Sequence, residues 1–176
     1  MSVTPDRYVV AMAHSRAVVV ATVAATLLGS VASGWWLGGA APASVPVTVV
    51  HVVDGDTLVA AFPDGHRETV RVLGIDTPET VDPRKPVQCF GPEASAYAKA
   101  RLTGRAIRLE FDVERRDIYG RLLAYVVVDG ARYEDDVLRR GLARLLVIPP
   151  NGAYARTMLA EALAARRARR GLWGKC

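Results

Sequence analysis

The chain has 176 residues, which is enough for one ordinary domain and a short additional segment. Hydrophobic residues make up 51% of it, so a packed core can form and a largely disordered protein is excluded. The formal net charge of +5 suits a polyanionic partner without requiring one. The two cysteines, Cys89 and Cys176, form no CxxC motif and no Cys/His cluster, which argues against a zinc site or a thioredoxin-type centre.

Residues 1–43 have the composition of an export segment with a linker. Arg7 and Arg16 precede a charge-free apolar stretch that runs from Ala17 to beyond Leu37. A cleaved signal peptide and an uncleaved membrane anchor both fit this pattern. Both alternatives predict that residues 44–176 lie outside the cytoplasm, because the positively charged end of such a segment stays inside. Two small-residue sites would suit cleavage, those after Ala32 and Ala43.

An extracytoplasmic location changes what is expected of the cysteines, because an oxidising compartment permits disulfides. Cys89 and Cys176 are therefore expected to pair, which would tie the region of the first helix to the C-terminus. Two unpaired thiols are the alternative, and an oxidising environment disfavours them.

Residues 44–176 are predicted to form an α+β domain. Apolar and alternating patterns predict five strands, at Val45–Val53, Thr57–Phe62, Arg67–Ile75, Ile107–Phe111 and Arg121–Val128. Capping residues and helical periodicity predict three helices, at Gly91–Leu102, Glu134–Arg140 and about Ala153–Arg170. The absence of regular β–α alternation favours α+β, and a five-stranded OB-fold barrel with the helices packed on it fits the strand count. Periodicity alone also admits an open antiparallel sheet.

Four acids lie in the loops beside the predicted strands: Asp54, Asp56, Asp76 and Glu79. A strand meander can bring the start of the second strand close to the end of the third. Carboxylates that converge repel one another unless a cation lies among them, and hard oxygen ligands favour Ca²⁺ or Mg²⁺. Taken singly, each acid also fits an ordinary turn or surface residue, and no EF-hand loop occurs.

Two arginines accompany these acids in the sequence. Arg71 lies in the strand that leads to Asp76, and Arg121 begins another strand. Guanidinium groups beside a metal–carboxylate cluster can bind phosphate oxygens in a bidentate manner. Fixed positive charge stabilises the charge that develops on phosphate, and a remaining carboxylate can orient or deprotonate water. The combination therefore favours phosphodiester hydrolysis.

Five motifs carry a resemblance to a known family. They occur in the order Val53–Thr57 (VDGDT), Arg71–Glu79 (RVLGIDTPE), Phe90–Tyr97 (FGPEASAY), Asp117–Arg121 (DIYGR) and Arg140–Ala143 (RGLA). Together they resemble the staphylococcal nuclease (thermonuclease) family over roughly residues 46–173. The resemblance implies an OB-fold barrel, a monomer, and Ca²⁺-dependent cleavage of DNA and RNA. It also implies in-line attack of water on phosphorus, which leaves 3′-phosphate ends.

The resemblance assigns the acids to metal binding and to water activation. Asp56 and Asp76 match direct calcium ligands, and the carbonyl of Thr77 matches a third. Asp54 matches a residue that does not bind the ion itself but contacts the residues that do. Glu79 matches the proposed general base.

The resemblance also assigns residues to the substrate. Arg71 and Arg121 match the catalytic arginines that bind phosphate, and Tyr119 matches a tyrosine that contacts the terminal phosphate of a nucleotide. Arg84 and Lys85 fall in a basic loop expected to meet the nucleic-acid backbone.

The segment Arg144–Pro150 departs from the family pattern. Family members have tyrosines there that wall the nucleotide pocket, and this segment has none. Substrate affinity or base preference is expected to differ, because stacking contributes about 1–3 kcal/mol per base. A non-catalytic OB-fold module that binds nucleic acid or protein, and an envelope protein that uses calcium for stability, are the alternative functions. The retained acids and arginines favour the nuclease.

Overall fold

The computed structural model describes residues 43–80 and 86–176. These residues contain eight strands: β1 (Ser44–Val52), β2 (Thr57–Ala61), β3 (Arg67–Val72), β4 (Gly74–Asp76), β5 (Ala106–Glu110), β6 (Leu122–Val128), β7 (Ala131–Arg132) and β8 (Arg144–Leu146). They also contain four helices: α1 (Gly91–Leu102), α2 (Tyr133–Arg140), α3 (Ala155–Arg167) and the short α4 (Leu172–Lys175).

Five of the strands close into a barrel, and β1 is the strand that joins its two halves. The first half of β1, Ser44–Thr48, pairs antiparallel with β5, and its second half, Thr48–Val52, pairs antiparallel with β2. The pairings β2–β3 and β5–β6 are also antiparallel, and the parallel pairing of β3 with β6 closes the ring. The prediction of an α+β fold built on an OB-fold barrel is therefore confirmed.

The core fills the barrel and continues beneath the helices. Strand β6 is buried along almost its whole length, since the barrel interior covers one face and α2 the other. Met158, Ala162 and Ala165 form the buried face of α3, at the helical spacing that the sequence predicts.

The predicted third strand, Arg67–Ile75, is broken in the structure into β3 and β4. Gly74 causes the break, because it has φ 78°, a conformation that side-chain-bearing residues rarely adopt. A Cβ atom at Gly74 would also overlap the sulfur of Met158. Beyond this bend, β4 leaves the barrel and pairs with β8, so that Asp76 lies opposite Arg144.

The other predicted elements are displaced only at their ends. The fifth strand begins at Leu122, α2 begins at Tyr133, and the last predicted helix is α3, which ends at Arg167. The short helix α4 lies beyond the predicted end of that helix and is not predicted. A disulfide joins Cys89 to Cys176 with a Cα–Cα distance of 6.0 Å.

Part of the sequence-based prediction falls outside the described residues. The export segment up to residue 42 and the loop residues Arg84 and Lys85 belong to that part. Within the described ranges, no helix has both the length and the apolar character needed to cross a bilayer.

Candidate active site

The connection between β1 and β2 presents Asp54 and Asp56. The N–H of Asp56 donates to Oδ1 of Asp54 at 3.0 Å, which folds the backbone into an Asx turn. Burial raises the pKa of Asp54, repulsion from Asp56 adds to the increase, and the hydrogen bonds from the N–H groups of Asp56 and Thr57 only partly oppose it. The turn therefore concentrates negative charge in a partly desolvated position.

Two close contacts fix this turn against the rest of the domain. A Cβ atom at Gly55 would lie 2.5 Å from Cγ2 of Thr77, so only glycine allows the turn to approach the end of β4 this closely. The hydroxyl of Tyr133, at the start of α2, donates to the carbonyl of Gly55 at 2.8 Å. The position of the acidic turn thus depends on both β4 and α2.

Asp56 is the buried centre of the site, with 7% of its surface exposed. Its Oδ2 accepts hydrogen bonds from the backbone N–H and from the hydroxyl of Thr77, both at 2.8 Å. Its Oδ1 accepts one from the hydroxyl of Thr57 at 3.1 Å and lies 3.4 Å from Nε of Arg71. Asp56 thereby joins the beginning of β2 to the end of β4, as the predicted meander requires.

Arg71 lies between the two predicted metal-binding carboxylates. Its Nη2 is 3.7 Å from Oδ1 of Asp76, whose side chain is 51% exposed, in contrast to the buried Asp56. Its Nη1 donates to the carbonyls of Val72 at 2.7 Å and Ile75 at 2.9 Å. The bend between β3 and β4 therefore wraps around the guanidinium and fixes its plane.

Arg121 is held by an aspartate four residues earlier in the chain. Its Nε donates to Oδ2 of Asp117 at 2.7 Å, and its backbone N–H donates to Oδ1 at 2.9 Å. Burial acts to raise the pKa of Asp117, but the hydrogen bonds from Arg121 outweigh it and the pKa is lowered. The guanidinium also lies over the exposed ring of Tyr119, 5.5 Å from its centroid.

One cavity brings the two arginines and the tyrosine together. It has a volume of about 490 Å³, and Arg71, Arg121 and Tyr119 all line it. The rest of its wall is mainly aliphatic and includes Leu146 and Ile148, from the segment that lacks the family's tyrosines. The cavity therefore combines guanidinium groups with a mainly aliphatic wall, which suits a ligand that has both a charged and an apolar part.

Glu79 follows β4 in the loop that precedes α1. Its Oε1 accepts a hydrogen bond from the N–H of Thr80 at 2.8 Å. Its own N–H donates to Oε1 of Gln88 at 3.1 Å, and its carbonyl accepts from the N–H of Gln88 at 2.9 Å. Both polar groups of the Glu79 backbone therefore bind to one residue.

The structure brings the predicted site residues together in pairs. Asp56 and Asp76 meet at Arg71, and Arg71 meets Arg121 at the cavity. Across residues 43–80 and 86–176, the His, Cys, Asp and Glu side chains form no group of three or more that could hold a metal ion. The assignment of Ca²⁺ to Asp56, Asp76 and Thr77 therefore stays a prediction.

The sequence does not predict three residues that form hydrogen bonds with the predicted site residues or with the acidic turn: Asp117, Tyr133 and Gln88. Asp117 was detectable, since an acid four residues before an arginine in a tight turn is a recognisable ion-pair spacing. Tyr133 and Gln88 contact residues far from them in sequence or across a loop, and no local pattern indicates these contacts.

Comparison of the sequence with known proteins identifies the family of this chain. The sequence model of the family described as "Staphylococcal nuclease homologue" matches residues 69–175. The thermonuclease of Staphylococcus hyicus is 38% identical over 125 residues, which cover 71% of this chain and 73% of that protein.

Two further relatives show similar or higher identity over a smaller share of their own length. The thermonuclease of Staphylococcus intermedius is 46% identical over 106 residues, which cover 60% of this chain and 62% of that protein. Endonuclease YncB of Bacillus subtilis (strain 168) is 41% identical over 133 residues, which cover 74% of this chain and 63% of that protein. This chain belongs to the staphylococcal nuclease homologue family.

Proposed function

We propose that this protein is a Ca²⁺-dependent nuclease that acts outside the cytoplasm and hydrolyses phosphodiester bonds of DNA and RNA. The observation that carries the proposal is the position of Arg71. Its guanidinium lies 3.4 Å from Asp56 and 3.7 Å from Asp76, and it lines the same cavity as Arg121. Two carboxylates for a cation and two guanidiniums for phosphate thus occur at one place. The names of the thermonuclease and endonuclease relatives support the same reaction class.

The donor atoms at this place fit a hard divalent cation. Asp56 and Asp76 provide carboxylate oxygens, and the backbone carbonyl of Thr77 would provide a third oxygen. Hydrogen bonds from Thr77 and Thr57 fix the orientation of the buried Asp56 carboxylate. A bound Ca²⁺ would supply positive charge that stabilises the negative charge developing on phosphate.

The two arginines would bind the phosphate oxygens of the scissile bond. Guanidinium groups suit this role because they stay charged and present paired N–H donors. Asp117 fixes the orientation of Arg121, so the loss of side-chain freedom on substrate binding is reduced. Glu79 would orient the attacking water and accept its proton.

In this reaction, the water oxygen bonds to phosphorus as the bond from phosphorus to the 5′ oxygen breaks. The 5′ oxygen takes a proton from solvent water as it departs, so the leaving fragment ends in a 5′-hydroxyl, and the proton on Glu79 returns to solvent. The phosphate stays on the preceding nucleotide, so the products carry 3′-phosphate ends.

The cavity wall supports a nucleotide substrate held without extensive stacking. Leu146 and Ile148 offer apolar contact to a base or sugar, whereas Tyr119 is the aromatic residue among those that line the cavity. We therefore propose weak discrimination between bases, since aliphatic contacts carry no hydrogen-bond readout.

The proposed location rests on the N-terminal composition and on the disulfide. A basic start followed by an apolar stretch is typical of export, and the Cys89–Cys176 bond suits an oxidising compartment. Detection of the full chain in membrane, culture-medium and cytoplasmic fractions tests this proposal. Recovery mainly from the cytoplasm would contradict it.

A nuclease assay with purified protein tests the activity. We expect cleavage of DNA and RNA in Ca²⁺, loss of cleavage in EGTA, and recovery when Ca²⁺ is restored. Arg71→Ala, Arg121→Ala and Glu79→Gln should each lower kcat/KM by at least about 100-fold, as the loss of a charged transition-state contact does. Arg108→Ala is the matched control, because Arg108 is an exposed arginine on β5.

Two outcomes would contradict the proposal. Full activity in all three variants would show that the described site is not responsible for cleavage. Binding of nucleic acid without turnover in Ca²⁺ would instead favour the OB-fold binding module.

A further inference from the structure

The backbone of Glu79 is held at two points by Gln88. The N–H of Glu79 donates to the side-chain Oε1 of Gln88 at 3.1 Å, and the N–H of Gln88 donates to the carbonyl of Glu79 at 2.9 Å. A two-point contact of this kind fixes both the place and the rotation of the Glu79 backbone, which a single hydrogen bond does not. We call this pair of hydrogen bonds the Gln88 clamp.

The same segment also packs against the start of α1. A Cβ atom at Gly91 would lie 2.6 Å from Cγ2 of Thr80 and 3.2 Å from the carbonyl oxygen of Glu79. The N–H of Gly91 also donates to the carbonyl of Gln88 at 3.0 Å. The segment that carries Glu79 thus contacts both Gln88 and the first turn of α1.

The residue after Gln88 is covalently attached to a distant part of the domain. Cys89 forms a disulfide with Cys176, 87 residues further along the chain. The N–H of Cys176 donates to the carbonyl of Leu172 in α4, and the N–H of Leu172 donates to the carbonyl of Gly141 at the end of α2. The disulfide therefore connects the Gln88 clamp to the packed helical layer.

Gln88 lies at the exposed surface of the domain. Its side chain is exposed, and so are its neighbours Val87 and Cys89. An exposed hydrogen bond between main chain and side chain competes with water and contributes little rigidity alone. A covalent attachment one residue away removes much of the freedom that this corner of the loop would otherwise have.

We infer that Gln88 is a positioning residue for Glu79, and that the Cys89–Cys176 disulfide holds Gln88 in the geometry of the clamp. The inference rests on the proposed function, in which Glu79 orients and deprotonates water. Because Gln88 acts through Glu79, its loss is expected to slow the chemical step without weakening the binding of substrate or calcium. Small displacements of a catalytic group reduce the rate strongly, since the reaction depends on alignment.

Side-chain variants of Gln88 test the clamp. Gln88→Met keeps the length of the side chain and removes the acceptor, and it should lower kcat roughly tenfold with KM and the half-saturating Ca²⁺ concentration changed less than about twofold. Gln88→Glu restores an acceptor oxygen and should recover most of kcat. Val87→Ala, a change at an exposed neighbour, should leave all three parameters unaltered.

Combination with Glu79→Gln separates positioning from a general structural effect. If Gln88 acts through Glu79, Gln88→Met should have almost no further effect on the residual activity of Glu79→Gln. A full tenfold loss in both backgrounds, or a loss confined to KM, would overturn the inference.

Removal of the disulfide tests the second part. The Cys89→Ser/Cys176→Ser variant, assayed at a temperature where circular dichroism shows it folded, should lose kcat by about the same factor as Gln88→Met. Reduction of the wild type with dithiothreitol provides the same test without substitutions. Gln88→Met combined with removal of the disulfide should lower kcat no further than either change alone. Losses of kcat that multiply in the combined variant would overturn this part of the inference.

Amide hydrogen exchange at Glu79 gives a readout that needs no activity. Exchange should be faster in Gln88→Met and in the reduced protein than in the wild type, and equal exchange in all three would refute the clamp. A wild type that exchanges slowly at Glu79 but cleaves neither DNA nor RNA in Ca²⁺ would refute the proposed function and leave the clamp intact.

Discussion

The hydroxyl of Tyr133 donates a buried hydrogen bond to the backbone carbonyl of Gly55 at 2.8 Å, across 78 residues of sequence. This bond ties the first residue of α2 to the turn that presents Asp54 and Asp56. Tyr133→Phe would leave the carbonyl without this donor in the core, so we expect the free energy of unfolding to fall by about 1–3 kcal/mol. Urea denaturation measures the loss. Tyr119→Phe, at an exposed ring, is the control and should change stability by less than about 0.5 kcal/mol.

The same variant has a second expected effect, on calcium affinity. A less constrained turn should hold Asp56 less well, so the Ca²⁺ concentration needed for half-maximal activity should rise by a few-fold. Unchanged calcium dependence in a destabilised Tyr133→Phe protein would show that the bond serves folding alone.

Gly55→Ala tests the close approach of the acidic turn to Thr77. The added Cβ would lie 2.5 Å from Cγ2 of Thr77, which is buried and cannot move without loss of its hydrogen bonds to Asp56. We expect the free energy of unfolding to fall by about 1–3 kcal/mol, as at other overpacked sites. Nuclease activity should fall as well, because the turn carries Asp56. Thermal unfolding and the nuclease assay measure the two effects.

A control variant and a rescue variant distinguish the overlap with Thr77 from the general effect of replacing a glycine by alanine. Gly152→Ala adds a methyl group at ordinary contact distance, 3.6 Å from Val147, and should be tolerated. Gly55→Ala combined with Thr77→Ser removes Cγ2 and keeps the hydroxyl, and it should recover part of the stability. If the double variant is no better than Gly55→Ala, then the overlap with Cγ2 is not the cause.

Asp117→Asn tests whether the orientation of Arg121 matters for the reaction. The amide keeps one acceptor oxygen but lacks the charge that holds the guanidinium at 2.7 Å. We expect kcat/KM to fall roughly tenfold with little change in melting temperature, because the pair is partly exposed and such pairs contribute little to stability. Asp129→Asn, which removes an exposed partner of Arg101 and Arg105, should leave the rate unchanged. Equal losses in the two variants would argue against a specific role for Asp117.

The fold was largely predictable from local patterns, and its exceptions have physical causes. Strands β1, β2 and β5 follow from alternating β-branched and apolar residues, and α1 and α2 end close to the glycines that the sequence indicates. The break between β3 and β4 was missed because the apolar pattern continues through Val72 and Ile75 on both sides of Gly74. Strand β8 was missed because three residues carry too little periodicity to indicate a strand.

The candidate site was predictable only where a residue belongs to a contiguous motif. The motifs name the acids and arginines, but they do not show that Arg71 lies between Asp56 and Asp76. Nor does any motif indicate that Glu134 is completely buried. An acid in the first turn of a helix is ordinarily solvated and interacts favourably with the helix dipole. Only the packing of α2 against β6 shows that Glu134 is buried instead.

The burial of Glu134 predicts how stability depends on pH. Burial raises the pKa of its carboxyl to about 8 from an ordinary value of 4.5, with a smaller contribution from Asp135. Hydrogen bonds from its own N–H and from that of Val126, together with Arg132, oppose the increase without cancelling it. As the pH rises above 4.5, the carboxyl loses its proton in the unfolded chain but keeps it in the folded protein until about pH 8. The unfolded state then binds fewer protons, so stability must fall across this window and level off above it.

Glu134→Gln should remove this dependence, because an amide keeps an acceptor for the N–H of Val126 and does not ionise. At pH values above the window the stability of the variant should exceed that of the wild type by on the order of 5 kcal/mol, since the pKa rises from 4.5 to about 8 and each pKa unit corresponds to about 1.4 kcal/mol. Urea denaturation of both proteins at several pH values between about 6 and 9 measures the difference. Glu161→Gln, at a partly exposed partner of Arg139, is the control and should retain the wild-type slope. Parallel curves for the wild type and Glu134→Gln would mean that Glu134 ionises as readily in the folded protein as in the unfolded chain.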